Sequence, residues 1–284
     1  MLRIRPGSGG SRFASVKLQR SFSEYLVPVH TALTSLHQFT GLSWPVLIPL
    51  TTIGLRLALT TPLAVLNRKR AQKQAKLAPL LQAMVPVFKA QLAAGAAAKR
   101  HELTAEQIGV LATKERRKQR ISLYKEAKCQ NWRMLLLPAI QIPLFVAMSL
   151  TLRSMCGWSV LDSIPLEQGF TEQGFGWIQS LDRPDNYGIL PLAVGAFSLG
   201  NVELHSRALP TNSQGPSVAA ALINFSRFGC VLFMAMAFQA PSAIGLYWLS
   251  SNAFSFVQTA LMDKYLPIRV QPDYPTADPT VSSK

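Results

Sequence analysis

The apolar positions of this chain recur at helical spacing from residue 24 onward. Residues 24–40, EYLVPVHTALTSLHQFT, place Leu26, Val29, Leu33 and Leu36 on one face and polar side chains on the other. That is the pattern of an amphipathic helix lying at an interface. Five apolar runs follow, at residues 42–66, 134–152, 187–204, 219–238 and 242–262, the last two separated by a turn at Gln239-Ala240-Pro241. Each approaches the roughly 20 residues that a helix needs to cross hydrocarbon. The third, interrupted by Gly195 and Gly200, is the least regular. Between the first two runs, residues 67–133 set Leu77, Leu81, Met84, Phe88 and Leu92 along one helix seam, with a break at Ala94-Gly95. Thr104 with Gln107 makes a capping box that opens a second helix through Ile108, Leu111 and Ile121. The expected fold is an all-α membrane protein: five transmembrane helices, an antiparallel helical hairpin outside the bilayer, and an N-terminal interfacial helix.

Composition agrees with a membrane protein. Hydrophobic residues make up 49% of the 284 and charged residues only 15%. The formal net charge of +15 is unevenly spread. Arg3, Arg5, Arg12, Lys17 and Arg20 stand among serines with no acid before Glu24, which is the make-up of a mitochondrial or plastid transit peptide. Arg20-Ser21-Phe22-Ser23 resembles a matrix-processing site, so residues 1–22 are read as a transit peptide, with a plain basic tail as the alternative. Residues 67–133 hold 16 Lys or Arg against Glu102, Glu106, Glu115 and Glu126. The loop at 153–186 carries Asp162, Glu167, Glu172, Asp182 and Asp185, with Arg183 the one basic residue after Arg153. Because positive loops stay on the side that delivers the chain, the hairpin is expected in the matrix and the acidic loop in the intermembrane space. Alternation then puts the N-terminus outside, and the 205–218 loop and the 263–284 tail in the matrix. Arg227 falls near the matrix end of its segment, where its stem can snorkel to the headgroups.

Cofactor chemistry finds no footing. Cys129, Cys156 and Cys230 lie far apart without a CxxC, and His30 and His37 lack a third ligand. The run Lys114 to Lys118 has no interleaved aromatics, so nucleic acid is not the expected partner. Anionic inner-membrane lipid or an acidic partner suits it better, at about 1 kcal/mol per basic side chain near such a surface.

Arg56 is the conspicuous residue. It sits within LTTIGLRLALTTPL (50–63), where an arginine costs at least about 2.5–3.5 kcal/mol. Thr52, Arg56 and Thr60 repeat every four residues as a polar stripe. No acid occupies the centre of another segment, Glu203 being at the matrix end of the third. A guanidinium stays charged when buried, so it calls for a hydrated cavity, for which Gln141, Ser250, Ser251, Asn252 and Gln258 could supply walls. The alternative is an arginine that merely locks helices together through hydrogen bonds.

These residues resemble those of the YidC/Oxa/Alb membrane protein insertases. The likeness is carried by GLRLALTTPL, by the hairpin ending LYKEAKCQNW (123–132), by PAIQIPLFVAMSLTLR (138–153) and by APSAIGLYWLSSNAFSFVQ (240–258), in that order, and covers roughly residues 25–265. The resemblance implies a five-helix core with the N-terminus out and the C-terminus in. It implies a hydrophilic groove open to lipid and matrix and closed to the outside, with Arg56 as its arginine and Tyr247 and Trp248 beside the translocating segment. Gln141 and Asn252 would belong to its wall, with Thr52, Thr60 and Ser251 completing the expected groove. The implied activity is insertion of membrane-protein clients, without covalent chemistry, ATP or metal.

The tail 263–284 is short and charge-balanced, unlike the long basic tail of the general mitochondrial member, which disfavours ribosome binding. It is more similar to the cytochrome c oxidase assembly branch, which exports the C-terminal tail of oxidase subunit 2 and works among assembly helper proteins. Alternatives are a general Oxa-type insertase with several clients, a small-solute transporter, and a purely structural assembly factor. An intramembrane metalloprotease lacks its parts, since His101-Glu102 has no second histidine at the required spacing.

Overall fold

The computed structural model describes residues 26–98, 104–158, 164–207 and 218–268. The segment read as a transit peptide, residues 1–22, and the tail beyond 268 lie outside them. Every regular element among the described residues is helical, apart from an isolated bridge between Phe175 and Ile178. Helix α1 covers residues 26–40, followed by α2 (Trp44–Leu55), a π-helical turn (Arg56–Thr60), α3 (Thr61–Ala98), α4 (Ala105–Glu126), α5 (Asn131–Met134), α6 (Leu136–Met155), α7 (Gly169–Glu172), α8 (Ile189–Arg207), α9 (Val218–Ala237) and α10 (Ser242–Tyr265).

Among the described residues, three helical stretches are long and apolar enough to cross a membrane: Trp44–Gly95, Asn131–Met155 and Ala220–Ala237. Helices α8 and α10 have comparable lengths of 19 and 24 residues. Asn201, Glu203, His205 and Arg207 dilute the apolar character of the first, and Ser250, Ser251, Asn252, Ser255 and Gln258 that of the second.

The chain forms two compact units, one from the described parts of Met1–Thr61 and Ala139–Ala260, the other from Pro62–Pro138 and the described part of Leu261–Lys284. In the first unit, Trp44, Leu47 and Ile48 of α2, Met148, Leu152 and Met155 of α6, and Ala243, Ile244 and Tyr247 of α10 are buried together with Phe170, Ile178 and Leu181 of the α6–α8 connection. That connection also caps helix N-termini, whose first N–H groups have no partner within their own helix. Gln173 Oε1 accepts from Trp44 N (2.7 Å), Asp185 Oδ2 from Leu190 N (2.8 Å), Arg183 O from Ser242 N (2.8 Å) and Leu181 O from Ala243 N (2.9 Å). Helices α2, α8 and α10 therefore all start at this end and run parallel, and the acidic connection closes it.

Helix α1 is held against the same core. Leu26 and Leu33 are buried in it, His37 stacks on Trp44 at 4.3 Å, and the chain reverses at Gly41, whose φ of +64° suits a residue without a side chain. The spacing of its leucines predicts an amphipathic helix at an interface. Here the indole of Trp44 and the leucine seam bring part of its apolar face onto protein.

The second unit is organised by a polar collar at the start of α3. Asn67 and Arg70 bond the carbonyls of Met134 and Arg133 (2.9 and 3.0 Å), and Gln74 bonds that of Cys129 (2.6 Å). Arg68 pairs with Asp263 and donates to the Leu266 carbonyl at 2.8 Å, while Gln72 donates to that of Pro267 at 3.0 Å. The chain that leaves along α3 thus returns to its base after α4. Thr104 and Gln107 form a reciprocal capping box at the α4 start. Helix α3 continues past Ala94-Gly95 to Ala98, and Ile121 is exposed while Ala112 is the buried residue of α4.

Candidate functional site

The local cause of the site is Pro62. It has no N–H to offer the Ala58 carbonyl four residues back, and its ring crowds that carbonyl. Arg56–Thr60 relax this by widening into a π turn, in which the Arg56 carbonyl accepts the Thr61 N–H and the hydroxyls of Thr60 (2.9 Å) and Thr61 (3.0 Å). π turns inside α-helices are frequent at functional sites. Thr52, Arg56 and Thr60 are all buried, with Arg56 8% exposed. The Thr52 hydroxyl donates to Ile48 O at 2.7 Å, so Thr52, like Thr60, spends its hydroxyl hydrogen within its own helix.

The guanidinium is held from α10. Nη1 donates to Ser255 Oγ at 2.6 Å, Nη2 donates to Ser251 Oγ at 2.5 Å, and the Phe254 ring centroid lies 6.0 Å from Cζ. Ser251 and Ser255 are one turn apart on one face, so both reach the same fork. Arg56 takes part in none of the ion pairs among the described residues. Its planar head has N–H donors beyond the two engaged here.

Beside it lies a small recess, with about 10 Å³ of space open to water, bordered by Thr52, Arg56 and Thr60, by Gln141, Leu144, Phe145 and Met148 of α6, and by Leu55 and Tyr247. The Tyr247 and Phe145 rings are 5.4 Å apart. Of the residues expected to line a groove, Thr52, Arg56, Thr60, Gln141 and Tyr247 border this space and Ser251 bonds the guanidinium. Trp248 instead donates its Nε1–H to Ser149 Oγ (3.0 Å) and packs on Phe233 at 4.6 Å. The Asn252 amide donates to Trp248 O (2.8 Å), and the Ser250 hydroxyl donates to Leu246 O (2.7 Å). All three are engaged in helix packing or in their own helix. The resemblance implies a hydrophilic groove at this place; in the structure Arg56 is enclosed and the space beside it is small.

Sequence reasoning missed Ser255 and the π turn. The signals were a serine four residues after Ser251 and a proline six residues after Arg56. It also gave Arg227 no partner. Arg227 grips Glu203 of α8 with two hydrogen bonds, Nε to Oε1 at 2.7 Å and Nη2 to Oε2 at 3.1 Å, and Nη1 reaches Asn224 Oδ1 at 3.1 Å. No group of three or more His, Cys, Asp or Glu among the described residues is placed to hold a metal ion.

The site thus sets a buried arginine, held by two serine hydroxyls, in a helical chain that carries stretches long and apolar enough to cross a membrane. Residues 35–269 match the family described as 60Kd inner membrane protein, and the chain belongs to that family. Among curated proteins it is 33% identical to the mitochondrial cytochrome c oxidase assembly protein COX18 of Saccharomyces cerevisiae, over 88% of this chain and 89% of that one. It is 28% identical to the protein of the same name from Kluyveromyces lactis, over 85% and 93%. The human protein of that name is 29% identical over 83% of this chain and 70% of its own.

Proposed function

We propose that this protein is a mitochondrial inner-membrane insertase of the cytochrome c oxidase assembly branch. Its client on this reading is the C-terminal tail of oxidase subunit 2, moved from the matrix to the intermembrane space. The observation that carries the reading is Arg56, a buried cation held by two serine hydroxyls and paired with no carboxylate among the described residues, at the wall of a small recess that Gln141, Thr52 and Thr60 also border. The similarity to assembly proteins named COX18 supports the branch.

Helices α2, α6, α8, α9 and α10 are the five spans on this reading. The capped end, with the acidic connection, faces the intermembrane space as the N-terminus does, and the α3–α4 hairpin and C-terminus face the matrix. A hydrophilic, often acidic tail arriving from the matrix meets the guanidinium and the Gln141 and threonine oxygens, which replace part of its hydration and lower the cost of leaving water. The connection capped onto α2, α8 and α10 keeps that space shut from the far side until a client occupies it. Burial of the adjoining apolar segment in lipid drives transfer, with the membrane potential adding about 2.3 kcal/mol per negative charge per 100 mV. Inner-membrane lipid and assembly helper proteins are the other partners, and a broader client range is the alternative within the family.

A photo-crosslinker at Thr52 tests the reading. In mitochondria making radiolabelled subunit 2, it should capture the tail before export. Capture of nothing but lipid, with export proceeding normally, would overturn it.

A further inference from the structure

A cavity that the insertase reading does not use opens between α8 and α9. These antiparallel helices touch closely at one end, where only glycine leaves room. A Cβ on Gly188 would stand 2.8 Å from Phe238 Cε1, and one on Gly195 would stand 2.5 Å from Met234 Sδ. Toward the other end the helices part. Asn201, Val202 and His205 of α8 and Leu222, Ile223 and Ser226 of α9 border about 290 Å³ of open space with mainly apolar walls. Ligand pockets begin at about 300 Å³, whereas the recess beside Arg56 has about 10 Å³.

The groups at its mouth carry positive charge. Arg227, one turn beyond Ile223, bonds Glu203 through Nε and Nη2 and Asn224 through Nη1. A guanidinium has five N–H donors, so these three contacts do not exhaust it. Arg207, in the last turn of α8, is exposed and takes part in none of the ion pairs among the described residues. His205 spends Nδ1 on Asn201 O at 2.7 Å, which leaves Nε2 for a ligand. Residues 208–217, which connect the helices, contain no charged side chain, so between 201 and 227 the two arginines are opposed by Glu203 alone.

Basic pockets between membrane helices on the matrix side suit acidic lipid headgroups. A free phosphate would leave the apolar walls empty, and a neutral lipid would leave the excess charge unmatched. We infer that the open end of the α8–α9 pair binds an anionic glycerophospholipid, with an acyl chain in the cavity and the phosphate at the helix ends that bear Arg207 and Arg227. The inference rests on the orientation given above, which sets this end of α8 and α9 at the matrix leaflet, and it adds a lipid site remote from the client's path.

The test uses full-length protein, purified and placed in phosphatidylcholine nanodiscs with a trace of lipid carrying a diazirine in its acyl chain. Two probes differ only in headgroup, phosphatidylglycerol in one and phosphatidylcholine in the other. After irradiation, mass spectrometry counts adducts on Val202, Leu222 and Ile223. Phe228, 60% exposed and on the opposite side of α9, reports ordinary lipid contact. The glycerol probe should label the cavity residues about fivefold more than the choline probe, the weight of one excess basic side chain at an anionic headgroup, and both should label Phe228 equally. Arg207→Gln cancels the excess and should bring the two probes to parity. Ser226→Phe, which fills the cavity, should remove adducts from Val202 and Ile223 and leave those on Phe228. Equal labelling of the cavity by both probes, a preference untouched by Arg207→Gln, adducts that survive Ser226→Phe, or no adducts in the cavity at all would each overturn the inference. No client takes part in this measurement, so failure here leaves the insertase reading standing, and that reading falls only on its own crosslinking result.

Discussion

Replacing Arg56 by methionine separates a transport role from a structural one. The substitution keeps a long flexible side chain in the bundle. It removes two charge-assisted hydrogen bonds, to Ser251 and Ser255, worth about 1.5–3 kcal/mol each. It also removes an insertion penalty of about 2.5–3.5 kcal/mol for an arginine at depth. The two serines need not be orphaned, since each can turn to a carbonyl of its own helix as Ser250 does to Leu246. The opposing contributions leave a net change between about 0.5 kcal/mol of stabilisation and about 3.5 kcal/mol of destabilisation, so Arg56→Met should accumulate as folded protein. Export should suffer far more. If the guanidinium gives a client carboxylate one charge-assisted hydrogen bond in the recess, its loss slows transfer by about ten- to a hundredfold. The assay is protease protection of the subunit 2 tail in mitochondria carrying equal amounts of either protein, with thermal unfolding in lipid nanodiscs as control. Normal export by a stable Arg56→Met protein would refute the reasoning, as would a variant that fails only because it unfolds.

Arg56→Lys keeps the charge but cannot bridge Ser251 and Ser255, and is expected to export at roughly a tenth of the normal rate, measured in the same assay. Ser251→Asp should fold and still fail, because it supplies the carboxylate that the client is meant to bring; an active Ser251→Asp would contradict the role given to an unpaired cation. Glu203→Arg or Arg227→Glu alone should lower accumulation by setting like charges against each other between α8 and α9, and the double exchange should restore it on immunoblots of purified mitochondria. Burial, with help from the Asp182 charge, pushes the Cys156 thiol up to about 12. Its thiolate is scarcer in the folded protein than in the unfolded chain, so maleimide at pH 8 should label it about a thousandfold more slowly until denaturant is added. Equal rates by mass spectrometry would mean that the end of α6 is open.

What could be read from the sequence was local. The Thr104–Gln107 box is a contact between residues three apart, and the Thr52–Arg56–Thr60 stripe follows from helical period alone, so both are visible without the fold. Contacts between distant segments were not. The run NRKRAQKQ (67–74) reads as free positive charge, yet Arg68 and Arg70 are spent on Asp263 and on backbone carbonyls 63 and 198 residues away. Trp248 and Asn252 lie next to Tyr247 and Ser251 in sequence but on other sides of α10, and a single residue step, about 100° around the helix, decides which of them meets the recess. The π turn escaped notice because periodicity assumes an unbroken α-helix, although Pro62 marks the place where that assumption fails.

The choice of serine over aspartate around Arg56 has its own logic. A carboxylate in contact with a buried guanidinium makes a pair whose disruption costs about 3–5 kcal/mol, and a client would have to pull that pair apart before gaining anything. Hydroxyls orient the fork without neutralising it. They hold each nitrogen by a single hydrogen bond, and they retain donors of their own that can turn toward an arriving carboxylate or peptide carbonyl. The bundle therefore stores an uncompensated positive charge at a bearable cost, because two hydrogen bonds offset much of the insertion penalty. On the proposed reading, a client relieves the rest by entering. Binding is then favourable enough to draw a polar chain out of water, yet no single contact is strong enough to trap it, which is the balance a conduit without an energy-consuming motor requires.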